Sequence, residues 1–161
     1  MVLGMSLSTF TFLHVLVSLI GIVAGFVVVI GLIGGKQFPR WTALFFITTA
    51  LTSLSGFLFP FKGFTPAIGV GVLSLFVLLL AFIARYVGHL AGAWRATYVI
   101  TATLALYFNF FVLIVQSFEK VPALKALAPT QSEPPFKIAQ LAALVLFVVL
   151  TTLAYRRFRT A

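Results

Sequence analysis

The sequence predicts an all-α fold: a polytopic integral membrane helix bundle of five transmembrane helices, forming one transmembrane domain over residues 1–161. Three observations predict it. The first is composition: 8% of the residues are charged, 62% are hydrophobic and the mean hydropathy is +1.20. A soluble domain carries roughly a quarter charged residues. So few charges cannot cover a water-facing surface, so most of the surface must face lipid. The second is the presence of five apolar stretches, at residues 10–33, 41–59, 66–84, 96–118 and 135–154, each near the length of about 20 residues that a spanning helix needs. The third is punctuation, since Gly, Pro and basic residues cluster between these stretches and are sparse within them.

The stretch 10–33 has no Lys or Arg before it and is too long for a signal-peptide core of about 7–15 residues, so it is expected to be a retained first span. His14, Ser18, Gly21 and Gly25 recur at helical spacing on it, and Gly21 with Gly25 forms a GxxxG pair that lets a second helix approach closely. Gly34, Gly35 and Pro39 end the span. On the stretch 41–59, Thr49, Thr52, Ser53 and Gly56 share a face. Pro60, Lys62 and Gly63 form a turn. Thr65 is then placed to cap the third helix, with Pro66 at its first position, where a missing N–H costs little. Along 66–84 the small and polar stripe is Ala67, Gly71, Ser74 and Ala81. Gly88, His89 and Gly92 precede the fourth span, whose stripe is Thr101, Ala105, Asn109 and Gln116. The connection to the fifth holds Pro122, Pro129, Pro134 and Pro135. Within it, "LAPTQSEPPFK" offers Ser132 or Glu133 as helix cap, with both final prolines in the first turn. Ser18, Gly21, Gly25, Gly56 and Gly71 are the expected helix-packing positions.

With five spans, Lys36, Arg40, Arg85, Arg95, Arg156, Arg157 and Arg159 share one side, and Lys62, Lys120, Lys125, Lys137, Glu119 and Glu133 share the other. The excess of basic residues puts the first side in the cytoplasm, hence the N-terminus outside and the C-terminus inside. Trp41, Arg85, His89, Trp94 and Arg95 then form a lipid-interface belt, with His89 near anionic headgroups. At an offset of 53 residues, Gly35, Trp41, Ile47, Thr48 and Leu51 match Gly88, Trp94, Ile100, Thr101 and Leu104. Either the first two hairpins are repeats with a fifth helix appended, or the demand for interfacial Trp and loop Gly produces the matches.

His14, Asn109, Gln116 and Gln140 fall in the outward half of the bundle, beneath the connection carrying Glu119 and Glu133. Lipid offers such groups no partners. They therefore form either a hydrogen-bonded layer that locks the helices or an outward-facing polar ligand site. The loop around Glu133 is a candidate lid for such a site. Catalytic machinery is not visible: Cys and Asp are absent and both Glu lie outside the spans, which leaves no thiol nucleophile, hydrolase triad or multidentate metal site. His14 and His89 fall at opposite ends of the bundle and cannot share one haem. The expectation is no cofactor, no metal and no nucleic-acid partner, since the cations are scattered singly. The leading functional expectation is an accessory or structural membrane subunit or small homo-oligomer, with the lipid bilayer, a second copy or a larger membrane complex as partner. The alternatives are transport or small-ligand binding around His14 and Asn109, and a quinone- or haem-associated redox role.

The stretches "GFTPAIGVGVLSL", "ARYVGHLAGAWR", "YFNFFVLIVQSF" and "VPALKALAPTQSEPPF" resemble a family of short polytopic inner-membrane proteins of proteobacteria. The resemblance covers most of the chain. It implies a multi-pass α-helical protein of the bacterial inner membrane and brings no activity with it. The His, Gly, Gly, Arg-Trp rhythm of the first hairpin is also similar, more faintly, to small cytochrome-like membrane domains, but a second His at matching depth is missing.

Overall fold

A computed structural model describes residues 1–60 and 63–159; Lys62 lies outside the described residues. Every regular element is helical: α1 (Leu7–Ile33), α2 (Pro39–Gly56), α3 (Pro66–Phe82), α4 (Ala93–Lys120), α5 (Pro122–Leu127) and α6 (Pro134–Arg157). α3 runs on into a π-helical turn, Ile83–Val87, closed by a bond from Gly88 N–H to the Ile83 carbonyl. Local chemistry sets these limits. The Ser6 hydroxyl accepts from Thr9 N–H at the start of α1, and Thr65 accepts from Ile68 N–H at the start of α3. Pro39, Pro66, Pro122 and Pro134 occupy first-turn positions, where no intrahelical bond is lost.

α1, α3 with its π turn, α4 and α6 are long and apolar enough to cross a membrane. α2 falls outside that group because its Thr and Ser residues dilute its apolar content. Its packing is nonetheless that of a full-length partner to α1. Phe10 meets Phe59, His14 meets Ser55, Gly21 faces Thr48, Gly25 faces Phe45 and Gly31 faces Phe38. Partner numbers fall on one helix as they rise on the other, so the two form an antiparallel hairpin in register from end to end.

α4 and α6 make a second such pair, through Arg95 with Tyr155, Tyr107 with Phe147, Gln140 with Phe111 and Phe118 with Phe136. α3 lies against α4 and α2. All five long helices are thereby aligned, and the bundle has two ends. His14, Thr65 and Lys120 mark one. Arg85, Arg95 and Arg157 mark the other.

The two ends are packed differently. Toward the Arg85 end the interior is a continuous apolar core of Val28, Val29, Leu32, Phe45, Tyr98 and Leu106, closed by Phe158. α1 comes closest to its neighbours at its two glycines. A Cβ on Gly25 would stand 2.6 Å from Leu106 Cδ1 and 2.9 Å from Phe45, and one on Gly21 would stand 2.9 Å from Thr48 Oγ1. The face that carries Gly21 and Gly25 is thus covered by α2 and α4 together.

Residues expected to be a simple interface belt also do structural work at the Arg85 end. Arg95 donates to the backbone carbonyls of Tyr155 and Phe158, closing the free C-terminal carbonyls of α6. Arg85 lies between the Tyr86 and Tyr98 rings, 5.6 and 5.5 Å from their centres, and donates to Gln37 Oε1 at 2.9 Å. Trp94 covers Gly88, where a Cβ would fall 2.3 Å from the indole. His89 is exposed and, with Leu90, adopts a left-handed backbone (φ 50° and 58°).

Gly25→Val forces side-chain atoms into Leu106 and Phe45, and overpacking of this kind costs about 1–3 kcal/mol. Gly34→Ala meets only backbone atoms at 3.5 Å and beyond, and is expected to stay within about 0.5 kcal/mol of the parent. Thermal unfolding of the two variants in the same detergent checks the contrast.

Candidate functional site

Above the glycine contact, at the His14 end, the helices part around a cavity of about 370 Å³. α1 contributes Thr11, His14 and Ser18, α2 contributes Ser53 and Gly56, α3 contributes Gly71 and Ser74, and α4 contributes Asn109, Gln116 and Lys120. Along α4 the lining runs from Asn109 to Lys120, about 16 Å at 1.5 Å per residue. Below it Gly21 meets Thr48 and Thr49 of α2 and Thr49 is bonded to Asn109 of α4, and the rim is formed by Phe59, Pro60, Thr65 and Lys120.

Most hydroxyls in this bundle spend their hydrogen on their own helix. Thr11, Thr48, Thr52, Thr101, Thr103 and Ser117 all donate to the carbonyl four residues back. This satisfies a buried hydroxyl without a neighbour. Thr11 and Thr52 keep that pattern at the cavity, and two serines there break it. Ser53 and Ser74 are buried, line the cavity, and make no side-chain hydrogen bond among the described residues. The Gln116 side chain is likewise uncommitted.

Asn109 Nδ2 donates to Thr49 Oγ1 at 3.3 Å, tying α4 to α2 and leaving the amide oxygen without a described protein partner. His14 Nδ1 lies 2.7 Å from Ser55 Oγ, and its ring meets Phe59 edge-on at 5.1 Å. Ser55 Oγ also donates to the Thr52 carbonyl at 3.2 Å. With its one hydrogen spent there, it accepts from His14 Nδ1–H, and Nε2, without a partner among the described residues, presents a lone pair. Five polar groups, carried by α1, α2, α3 and α4, therefore keep hydrogen-bonding capacity toward the cavity among the described residues, and Phe57, Ile68, Phe108 and Val112 add apolar surface between them.

Of the six residues expected to form a polar layer, the structure brings together His14, Asn109 and Gln116 and separates the others. Gln140 lies on α6 and donates to the Phe111 carbonyl at 3.3 Å, pinning α6 to α4. Glu119 is exposed and does not line the cavity. Glu133 stands at the N-cap position of α6, yet its carboxylate turns away from the helix. It accepts from Thr130 N–H, Thr130 Oγ1 and Ser132 N–H, so it braces its own loop.

That loop does not cover the cavity. Gln131 donates to the Val115 carbonyl, which holds the loop against the side of α4. The expected cap and lid are replaced by a self-contained turn. Ser53, Ser74, Lys120 and the His14 partner Ser55 were not singled out from the sequence for this site. A signal for Ser55 was present: His14 and Ser55 each stand twenty residues from the nearer glycine of the Gly34–Gly35 turn, so a regular hairpin places them side by side.

No group of three or more His, Cys, Asp or Glu side chains that could hold a metal occurs among the described residues. Comparison with protein-family models, with curated proteins and with solved structures gave no match. The reading of the site therefore rests on its own geometry.

Two outcomes follow. A double-mutant cycle of Asn109→Leu and Thr49→Val is expected to show a coupling of about 0.5–1.5 kcal/mol in unfolding, the range for hydrogen bonds between membrane helices. The hydrogen bond from Thr130 holds the Glu133 carboxyl below its usual value of 4.5. A lowered folded-state value means that the bracing is fully present above that pH and is lost as pH falls through the folded value. Amide-exchange protection of Thr130 and Ser132 is expected to hold at pH 5 and above and to drop on acidification below about 4.5, and Glu133→Gln is expected to abolish the change.

Proposed function

We propose that this chain is an integral membrane protein that binds a small organic ligand in the cavity at its His14 end, and that α2 is a fifth span. The observation that carries the ligand reading is the set of uncommitted polar groups on the cavity wall. A subunit whose polar residues served only to lock helices would spend them on one another, as the amide nitrogens of Asn109 and Gln140 are spent on α2 and α4. It would also pack without a void, as proteins generally do. Here Ser53, Ser74, Gln116 and His14 Nε2 face about 370 Å³ of space, within the range of small-molecule sites.

The fifth-span reading is supported by the register of α2 against α1. If α1 crosses the bilayer, a helix paired with it from residue 38 to residue 59 crosses the same slab. The charge distribution supports placing the Arg85 end in the cytoplasm and the cavity at the outer face. This accounts for the molecule better than a purely structural or accessory role, which gives the cavity no task. A binding function is also favoured over transport, because opening the Arg85 end would break the core from Val28 to Phe158 and the bonds of Arg95 to α6 together.

The absence of Cys makes the chain a clean background for thiol labelling. Single cysteines at Ser18 and Ser53 are expected to react with a small maleimide, while one at Val28 in the sealed core is expected to stay unreactive. Cysteines at Lys36 and Gln131 are expected to label from opposite faces of sealed vesicles with a membrane-impermeant reagent. Equal reactivity of positions 18 and 28 counts against a one-ended cavity, and same-side labelling of positions 36 and 131 counts against the five-span arrangement.

A further inference from the structure

We infer that the ligand of this cavity is a small organic monoanion, a carboxylate with an apolar or aromatic body and a neutral hydrogen-bonding group at its far end. The inference rests on the ligand-binding reading above and adds the chemical class.

The charges come first. Lys120 lines the rim, and no carboxylate lines the cavity among the described residues. Glu119, its sequence neighbour, points elsewhere, and Glu133 is committed to Thr130 and Ser132. A cationic ligand would meet one positive charge and no counter-charge. An anion meets the Lys120 ammonium at the entrance and the amide N–H donors of Gln116 one turn below it. Hydrogen bonds from such donors to a carboxylate are the strong, charge-assisted kind.

The body comes next. Among the polar groups the walls also carry Phe57, Ile68, Phe108, Val112 and Leu113, which suit a ring or a short chain and disfavour a second charge. Further from the rim stand neutral polar groups. Ser53 and Ser74 offer hydroxyls, and Asn109 offers a carbonyl oxygen. All three are neutral and together donate and accept, which suits a hydroxyl or carbonyl on the ligand. The depth of about 16 Å along α4 leaves room for the charged and neutral groups to be held at the same time.

The test uses the full-length protein in nanodiscs of zwitterionic lipid and three probes with one body and different heads: 4-hydroxybenzoate, 4-hydroxybenzyl alcohol and 4-hydroxybenzylamine, the last as its ammonium. Binding is read as protection of Ser18→Cys from maleimide. The carboxylate is expected to protect at concentrations about three- to ten-fold lower than the alcohol, and the ammonium least, given one partly solvated ion pair. Lys120→Gln, a change at an exposed residue, is expected to bring the carboxylate to the level of the alcohol. Equal protection by all three probes, or a carboxylate preference that survives Lys120→Gln, overturns the anion inference and leaves the ligand-binding reading standing. Protection by none of the three overturns both.

Discussion

The structure depends on one close contact, the approach of α1 to α2 and α4 at Gly21 and Gly25. With no side chain at these positions the helices meet backbone to side chain, and Phe45, Thr48 and Leu106 fill the space a Cβ would occupy. In lipid no hydrophobic force drives helices together, so such packing and a few interhelical hydrogen bonds must hold the bundle. The contact also divides the interior. On one side the large side chains interlock down to Phe158. On the other, where α1 carries Ser18, His14 and Thr11, the helices part and leave the cavity. The pinch that stabilises the bundle is therefore also the floor of the site.

Polar satisfaction in the bilayer explains why so many Thr and Ser residues carry little functional meaning. A hydroxyl bonded to the carbonyl four residues back is complete in itself, and this chain uses the device on α1, α2, α4 and α6. The informative residues are those that decline it. Ser53 and Ser74 sit in the same kind of helix as Thr48 and Thr52, yet their hydroxyls stay free at the cavity wall. Fixed polar groups around a space that matches a small molecule give recognition without rearrangement of the bundle.

The helices and their inward stripes were legible in the sequence because lipid imposes strict rules on length, breakers and small residues. In the first hairpin the GxxxG pair lies against α2 and α4, and the polar stripe above it lines the cavity. The grouping of His14, Asn109 and Gln116 was legible for the same reason, since depth follows from residue count and face follows from helical spacing. Gln140 had the right depth and the wrong direction, because the rotation of α6 about its axis is set by packing against Tyr107 and Phe111 rather than by any feature of its own sequence. Glu133 was placed correctly at the cap position. Its rotamer was not legible, because three donors in the preceding turn outcompete the helix N–H groups. The proposed repeat equates Gly35 with Gly88, but the two have opposite backbone signs, φ 71° and −79°, so the matched glycines turn the chain in different ways.

The two ends of the molecule use their charges for different purposes, and this bears on what the cavity does. At the Arg85 end, Arg85 and Arg95 are bound into the fold by Gln37, two tyrosine rings and the terminal carbonyls of α6. That end is stitched shut, and opening it would break these bonds together with the core from Val28 to Phe158. At the His14 end, Lys120 has no acidic partner among the described residues and stands at an opening. Alternating access requires each closure to yield in turn around the site. Here one closure is deep, apolar and cross-braced, and the other is a rim where Lys120 is the cation among the described lining residues. That asymmetry is the physical ground for treating the site as a receptor for a ligand that enters and leaves on the same side.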